Sequence, residues 1–285
     1  MDFYIVDCFA EGTHQGNQLA VFFPDTPLST DMMQAIAQEM HFSETTFVCS
    51  GDKGGHRFDV RIFTPDVEVP FAGHPTLGTA HLLREVNELG ADATVYLDLK
   101  AGSIPVRGEN GCLFMTQNQP EFGTLVDPSD IAAALSLEVG DIDDSLPLQL
   151  VSTGLEAIIV PLTSHDALRR CRVNFDALRH VHETYCKCNV LVFVPEPDAL
   201  EARVFMDDTG FPEDPATGSA NGCLAAYLLH YDVLGSHHLA YRVSQGADIG
   251  RPSTLQVRAS LEQSRYAIEV GGRACTVAKG TWLAI

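Results

Sequence analysis

The 285-residue sequence is poor in basic residues and lacks the features that mark several classes of protein. It has 18 lysines and arginines against 38 acidic residues, a net charge of −20. This argues against nucleic-acid binding, because phosphate contacts depend on clustered Lys and Arg. No apolar run approaches the roughly 20 residues of a membrane span, and the acidic start MDFYIVDCF is unlike a signal peptide. We therefore expect a cytoplasmic protein with neither a nucleic-acid nor a membrane partner.

The signals of a metal site are also missing from the sequence. The eight cysteines are scattered, and only Cys186 and Cys188 are close together. A zinc site of the usual kind needs a second such pair, which the chain lacks. The eleven histidines form no HExxH pattern. We expect free thiols in a reducing compartment and no metal.

The segment Glu68–Ala80, EVPFAGHPTLGTA, is the most distinctive part of the sequence. It lies between a predicted strand, Phe58–Phe63, and a predicted helix. Polar residues at such a junction often form the working part of an α/β-type protein. Because Pro75 suits the first helical position, the pattern predicts His74 at the N-cap.

Two other polar residues stand next to predicted strands. Asn17 lies in a Gly-Asn turn, where it either directs its amide into a cleft or serves only as a turn residue. Glu44 follows a predicted amphipathic helix and precedes the predicted strand Thr46–Cys49. Considered alone, Glu44 is either a solvated loop carboxylate or a functional one.

The distinctive segment has a second version later in the chain. HPTLGTA, from His74, can be set over DPATGSA, from Asp214, and the two share Pro, Gly and Ala. The preceding strands also match, as Arg61–Phe63 and Arg203–Phe205. This repeat predicts duplicated domains. Two helix N-termini facing one cleft would hold a carboxylate or an oxyanion without a lysine, and Asp214 either joins that site or only caps its helix.

Six motifs together resemble, in order, those of the PhzF-type phenazine-biosynthesis-like proteins, a branch of the diaminopimelate-epimerase-like fold. The motifs are GNQLAVF at Gly16–Phe22, FSETTF at Phe42–Phe47, FTPDVEVPFAGHPTLGTA at Phe63–Ala80, VSTG at Val151–Gly154, EDPATGSANG at Glu213–Gly222 and QGADIGRPS at Gln245–Ser253. The resemblance implies an α+β fold of two pseudo-symmetric domains. Each would be a mostly antiparallel sheet wrapped around a central helix, with the active-site cleft between them. It also implies a homodimer and an isomerase that uses no metal and no cofactor. We expect one domain at residues 1–118 with a C-terminal strand at about 278–285, and the other at 119–277.

The resemblance also assigns site residues. It places the family's acid/base glutamate at Glu44 and its polar partners at His74, Asp214 and Ser219. The remaining predicted substrate contacts come from the Gly-Asn turn and the two helix-leading segments: Asn17, Gly73, Thr76, Thr217 and Gly218. Diaminopimelate epimerases have a catalytic cysteine in each helix-leading loop, and neither loop has one here. Cys223 lies within the second predicted helix, so racemisation by two thiols is not expected.

These residues predict a proton transfer within one small acid. Glu44 would remove a proton next to a carboxylate or conjugated system and return it to another carbon, which is a double-bond isomerisation. Either burial or a nearby acid, which Asp214 could supply, would raise the pKa of Glu44, while His74 and the helix amides would hold the oxyanion. Two alternatives stand beside this one. The first is a two-base racemase or epimerase using Glu44 with His74 or Asp214, and the second is a non-catalytic small-acid binding protein. The sequence does not specify the substrate.

Overall fold

The computed structural model describes residues 1–51, 54, 56–195, 199–208 and 210–283, and the chain divides into two compact units. The first comprises Met1–Thr116 with Gly271–Ile285, and the second comprises Gln117–Val270. None of the helices within the described ranges is long and apolar enough to cross a membrane.

The described residues form strands and helices that alternate irregularly along the chain. The strands are β1 (Asp2–Cys8), β2 (Asn17–Phe23), β3 (Glu44–Gly51), β4 (Arg57–Phe63), β5 (Glu68–Val69), β6 (Thr94–Leu99), β7 (Gly102–Glu109), β8 (Cys112–Thr116), β9 (Glu121–Leu125), β10 (Gln149–Ser152), β11 (Glu156–Pro161), β12 (Asn189–Val194), β13 (Ala199–Phe205), β14 (Glu213–Asp214), β15 (His238–Gln245), β16 (Ser253–Glu262), β17 (Arg265–Gly272) and β18 (Ala274–Thr281). The α-helices are α1 (Thr30–Met40), α2 (Gly73–Val86), α3 (Pro128–Leu135), α4 (His165–Arg170), α5 (Phe175–Thr184) and α6 (Gly218–His230).

The first unit is a sheet around helix α2. Strand β1 pairs antiparallel with β18 and β2, and β2 pairs parallel with β3. Strand β4 pairs antiparallel with β3 and β5 and parallel with β6, and antiparallel pairing continues through β7 to β8. Helix α2 packs against β1, β2, β3, β6, β7, β8 and β18. Small residues such as Gly78, whose added Cβ would collide with Cys8 and Leu19, let the helix approach the strands closely.

The second unit repeats this pairing order. Strands β9, β10 and β11 pair antiparallel, β11 pairs parallel with β12, and β13 pairs antiparallel with β12 and β14. Strand β13 then pairs parallel with β15, which pairs antiparallel with β16. Helix α6 is buried from Gly218 to Leu229 and packs against β10, β11, β12, β15 and β16. The predicted fold is confirmed: each unit is a mostly antiparallel sheet around a central helix.

The C-terminal strand begins earlier than the sequence predicts. Strand β18 pairs with β1 over its whole length, from Ala274 opposite Cys8 to Thr281 opposite Asp2. The first unit therefore takes up the chain again at Gly271 rather than at about 278. Residues 284 and 285 of the predicted strand lie outside the described residues.

Both central helices begin at positions other than those predicted. Helix α2 starts at Gly73 with Ala72 at its N-cap, so His74 is the second helical residue and not the cap. Pro75 is accommodated because the first N–H groups of a helix have no intrahelical partner. Helix α6 starts at Gly218 with Thr217 at its N-cap. Asp214 is not a cap either, since it lies in β14.

Strand pairing also changes the register of the internal repeat. In the first unit Phe63 pairs with Glu68, and in the second unit Phe205 pairs with Glu213. With the two helix starts, this sets EVPFAGHPT of Glu68–Thr76 over EDPATGSAN of Glu213–Asn221. The counterpart of His74 is therefore Ser219, and setting His74 over Asp214 was wrong by five residues. Each overlay shares three identical residues, so the sequence does not distinguish them.

Candidate active site

Glu44 and His74 form the central contact of the candidate site in the first unit. Glu44 is the first residue of β3 and pairs with Leu19 of β2. The Glu44 side chain is 19% exposed and that of His74 is 5% exposed. Glu44 Oε2 lies 3.5 Å from His74 Nε2. A carboxylate at the edge of a buried region thus faces an imidazole inside it.

Hydrogen bonds on the other side of the ring hold His74 in place. Asn17 Nδ2 lies 3.1 Å from His74 Nδ1, and the Ser43 hydroxyl donates to Asn17 Oδ1 over 3.4 Å. Which of these two nitrogens donates depends on the tautomer of the imidazole, and in either tautomer Nε2 lies on the side of Glu44. Asn17, which was predicted to bind substrate, therefore contacts a catalytic candidate directly.

Burial keeps His74 neutral. It lowers the pKa of His74 from 6.5 to about 3, an effect that a hydrogen bond to the Gln18 backbone only partly opposes. The imidazole therefore carries no charge at neutral pH, and its contact with Glu44 is not an ion pair. A neutral imidazole can donate a hydrogen bond to a developing oxyanion, but it is a very weak base.

The predicted residues of the second unit lie in one continuous segment. Asp214 is buried in β14, and the Thr217 hydroxyl donates to its carboxylate oxygen Oδ2. Gly218 and Ser219 are the first two residues of α6. A hydroxyl that donates to a carboxylate favours the charged form. This segment therefore presents a buried carboxylate just ahead of a helix N-terminus.

Gly73 and Thr76, the remaining predicted contacts, lie in the first turn of α2. Gly73 is half-buried at the start of α2. Thr76 is fully buried, and its hydroxyl donates to Ala72 O over 2.7 Å. Their role as substrate contacts stays a prediction. Within the described part of the chain, no group of three or more His, Cys, Asp or Glu residues could hold a metal ion.

Two residues that contact predicted ones, one in each unit, were missed in the sequence. Ser43 orients Asn17, and Gln245 contacts the Asp214 segment. Both belong to motifs that carried the resemblance, FSETTF and QGADIGRPS, which was the available signal. Their partners are distant in the chain, 26 residues for Ser43 and 31 for Gln245, so nothing local indicated a role.

Comparison with known proteins identifies the family. Residues 6–280 match the model of the family described as phenazine biosynthesis-like protein, PhzC-PhzF. The chain belongs to this family. A PhzF-family relative, the trans-2,3-dihydro-3-hydroxyanthranilate isomerase of Pseudomonas fluorescens, is 33% identical over 286 residues, which is 98% of each chain.

Solved structures agree with this assignment. The crystal structure of a PhzF-family phenazine biosynthesis protein from Bacillus anthracis matches with a TM-score of 0.89 and 28% identity, covering 100% of this chain and 99% of that one. A hydroxyproline epimerase from Agrobacterium vitis matches with a TM-score of 0.62 and 13% identity, covering 98% of this chain and 90% of that one, and shows a shared fold alone. The PhzF-family chain is thus an isomerase with the epimerase-like fold.

Proposed function

We propose that this isomerase moves a proton within a small carboxylic or amino acid, with Glu44 as the general acid/base and without a cofactor. The observation that carries the proposal is the 3.5 Å contact between the partly exposed Glu44 carboxylate and the buried His74 imidazole. Since His74 is neutral, it does not neutralise the carboxylate, and Glu44 stays available as a base.

The proposed reaction is balanced by one proton and one electron pair. The Glu44 carboxylate takes a proton from a carbon of the substrate, and the C–H electron pair enters the adjoining conjugated system. Negative charge develops on a substrate oxygen, where His74 and helix N–H groups donate hydrogen bonds. Protonated Glu44 then returns the proton to a different carbon. The double bond shifts and no oxidant or reductant is needed.

The internal repeat supports a single base. By strand pairing, the counterpart of Glu44 in the second unit is Asn189, since Leu19 pairs with Glu44 as Ala157 pairs with Asn189. The counterpart of His74 is Ser219. Neither Asn nor Ser serves as a base near neutral pH, so the second unit does not repeat the acid/base pair.

In a two-base epimerase, Asp214 would serve as the second base beside Glu44. It is a buried carboxylate with no ionisable counterpart, because the corresponding residue is Val69. We propose that Asp214 and Ser219 act in binding or orienting the substrate rather than in moving the proton. A homodimer and a cytoplasmic location stay predictions from the sequence.

The first substrate to test is trans-2,3-dihydro-3-hydroxyanthranilate, because relatives at 33% identity are named for acting on it. The enzyme is incubated in D₂O with this compound and, separately, with a panel of small cyclic carboxylic and amino acids. We expect NMR to show a shifted double bond, with deuterium at the new C–H position to the extent that protonated Glu44 exchanges with the solvent before it returns the proton. Inversion at one carbon without a double-bond shift would favour the epimerase.

Glu44→Gln tests the base. We expect a loss of turnover on the order of 10³-fold or more, since general acid–base catalysis alone contributes about 10²–10⁴-fold. The matched control is Glu39→Gln, an exposed glutamate on α1, which should retain full turnover. Full turnover by Glu44→Gln would falsify the assignment, and a failure of the unmodified enzyme to shift the double bond of any compound in the panel would overturn the function.

A further inference from the structure

The side chain of Gln245, the last residue of β15, is buried and uses its full hydrogen-bonding capacity. Its Oε1 accepts from Thr217 N over 3.3 Å and from Asn221 Nδ2 over 3.0 Å. Its Nε2 donates to Asp214 O over 2.8 Å and to Thr217 Oγ1 over 3.1 Å. An amide has two donors and two acceptor sites, so each is occupied within one short segment of the chain.

These bonds determine what the Thr217 side chain does. Thr217 is the N-cap of α6 but makes no side-chain cap hydrogen bond. Its hydroxyl accepts from Gln245 Nε2 and donates to the Asp214 carboxylate. Because the acceptor side of the hydroxyl is occupied by Gln245, its proton is directed at Asp214. Gln245 thus acts on the carboxylate through Thr217 and on the backbone of Asp214 directly.

The turn that follows Gln245 is in tight contact with the same segment. Gly246 has a φ of +76°, and a Cβ added there would lie 2.6 Å from Pro215 O. Only glycine tolerates both the backbone angle and this approach. The turn is therefore fitted against the residue directly after Asp214.

A second contact ties this turn to the other side of Asp214. Asp248 Oδ2 lies 3.6 Å from Arg203 Nε, and Arg203 makes two hydrogen bonds to Glu213, of 3.0 and 2.6 Å. Glu213 directly precedes Asp214. Asp214 thus lies between Glu213, which is bonded to Arg203, and the contacts made by Gln245 and the turn that follows it.

The first unit shows that the fold does not require this arrangement. Its counterpart of Gln245 is Leu99, since β4 pairs with β6 as β13 pairs with β15. Its counterpart of Asp214 is Val69. The buried amide therefore occurs in the unit that has the buried carboxylate, and an apolar residue replaces it in the unit that does not.

We propose that Gln245 is a positioning residue, which fixes the Thr217 hydroxyl and the Asp214 backbone so that the Asp214 carboxylate keeps one orientation during the reaction. The link to catalysis rests on the proposed function, in which Asp214 takes part. The local effect on Asp214 does not rest on it and can be measured without a substrate.

The experiment compares Gln245→Met with the unmodified protein by two readouts. The first is the titration of the Asp214 side-chain carbon followed by ¹³C NMR, with the signal assigned by its absence in Asp214→Asn. We expect the midpoint to shift, because methionine holds neither the Thr217 hydroxyl nor the Asp214 backbone in place. Arg203, Glu213 and Asp248 are the charged groups of the surrounding contacts, and the variant leaves them in place.

The second readout is turnover of trans-2,3-dihydro-3-hydroxyanthranilate. We expect kcat to fall on the order of 100-fold with a smaller change in KM, since a misplacement of about 1 Å has an effect of that size. The control is Gln149→Met. Gln149 is also buried in this unit, donates to Gly123 O over 3.0 Å and accepts from Tyr231 OH over 2.6 Å. This variant should lose stability without changing the Asp214 midpoint or kcat.

If Gln245→Met matches Gln149→Met in the Asp214 midpoint and in kcat, Gln245 is only structural and the proposal is overturned. If Gln245→Met does not fold, Gln245→Leu replaces it, because leucine is the residue at the equivalent position of the first unit. An unchanged Asp214 midpoint in Gln245→Leu would overturn the proposal as well. A shifted midpoint in a protein whose unmodified form turns over none of the compounds in the panel would support the positioning of Asp214 and refute the proposed function.

Discussion

Each unit has an Arg–Glu ion pair, called here its brace, and the two braces differ in how deeply they are buried. Arg61 donates through Nε and Nη2 to Glu68, both over 2.8 Å, and Arg203 donates through the same atoms to Glu213. Each pair joins a long strand to the short strand that leads to the central helix. The side chains of the first pair are 29% and 16% exposed, and those of the second are 6% and 5% exposed. The brace belongs to the repeated fold, whereas its burial does not.

The helices inserted into the two units contact the two braces differently. Between β2 and β3 the first unit has helix α1, and the Arg61 guanidinium donates to Thr30 Oγ1 at its start. Between β11 and β12 the second unit has α4 and α5, and Arg203 Nη1 donates to Leu168 O of α4 over 2.8 Å. The α4 carbonyl thus contacts the second pair, which is the more deeply buried of the two.

The chemistry differs between the units more sharply than the scaffold does. Glu44 and His74 of the first unit correspond to Asn189 and Ser219 of the second, while Asp214 corresponds to Val69. Equivalent places in the repeat thus hold ionisable residues in one unit and neutral residues in the other. The comparison shows that a duplicated fold keeps its packing and its braces while the chemistry of a few positions changes.

The largest expected difference in stability between the two units concerns the brace. Arg203→Met should lower the free energy of unfolding by about 3–5 kcal/mol, because it leaves Glu213 buried without its partner. Arg61→Met should lower it by no more than about 1 kcal/mol, because Glu68 can be solvated. Urea unfolding monitored by circular dichroism measures both.

A double variant tests the physical cause. Arg203→Met with Glu213→Leu removes the uncompensated charge along with the arginine, and should recover much of the stability lost in Arg203→Met. Equal losses for the Arg203 and Arg61 variants would show that burial does not distinguish the two braces.

His74 gives the next effect, on the pH dependence of stability. Its pKa is about 3 in the folded protein against about 6.5 when unfolded. Between these values the unfolded state binds more protons, so stability falls as the pH is lowered from 6.5 towards 3, by at most about 1.4 kcal/mol per pH unit for this group. His74→Gln, which does not titrate, should flatten the curve in this range.

The measurement is urea unfolding at a series of pH values from 7 down to the lowest at which the protein stays folded. The control is His180→Gln, an exposed histidine on α5 of the second unit, which should leave the curve unchanged. If His74→Gln also leaves it unchanged, the imidazole is not held neutral by burial. The proposed neutral donor next to Glu44 would then be wrong.

The sequence was sufficient for the fold and not for the register within it. Motif order predicted two halves and the α+β architecture, and the same motifs pointed to Glu44 and His74. The sequence did not show whether His74 aligns with Asp214 or with Ser219, because Pro and Gly coincide in both alignments. Only strand pairing, which is set by contacts between residues distant in the chain, resolved this.

The electrostatics of the site were equally out of reach of the sequence. The low pKa of His74 comes from burial, and its orientation depends on Asn17, 57 residues away. Gln245 was visible in a motif, but its role follows from contacts with a segment 24 to 31 residues earlier. Local patterns reveal such residues without revealing what they touch.

The smallest expected effect concerns Thr45 of β3, whose counterpart in the second unit is Val190. Thr45 is fully buried, and among the described residues its Oγ1 finds no hydrogen-bond partner. A buried hydroxyl without a partner is destabilising by about 1–3 kcal/mol, so Thr45→Val should leave stability unchanged or raise it by about 1 kcal/mol.

The neighbouring residue gives the matched control for Thr45. The Thr46 hydroxyl bonds to Ala20 O over 3.4 Å and to Thr79 Oγ1 over 2.9 Å, so Thr46→Val leaves Thr79 without this partner and should lower stability by about 1–2 kcal/mol. The two valine variants should therefore shift the unfolding midpoint in urea in opposite directions, or Thr45→Val should not shift it. A clear loss in Thr45→Val would mean that its hydroxyl is satisfied, by bound water for example. The Thr45 hydroxyl would then stabilise the first unit in a way that Val190 cannot stabilise the second.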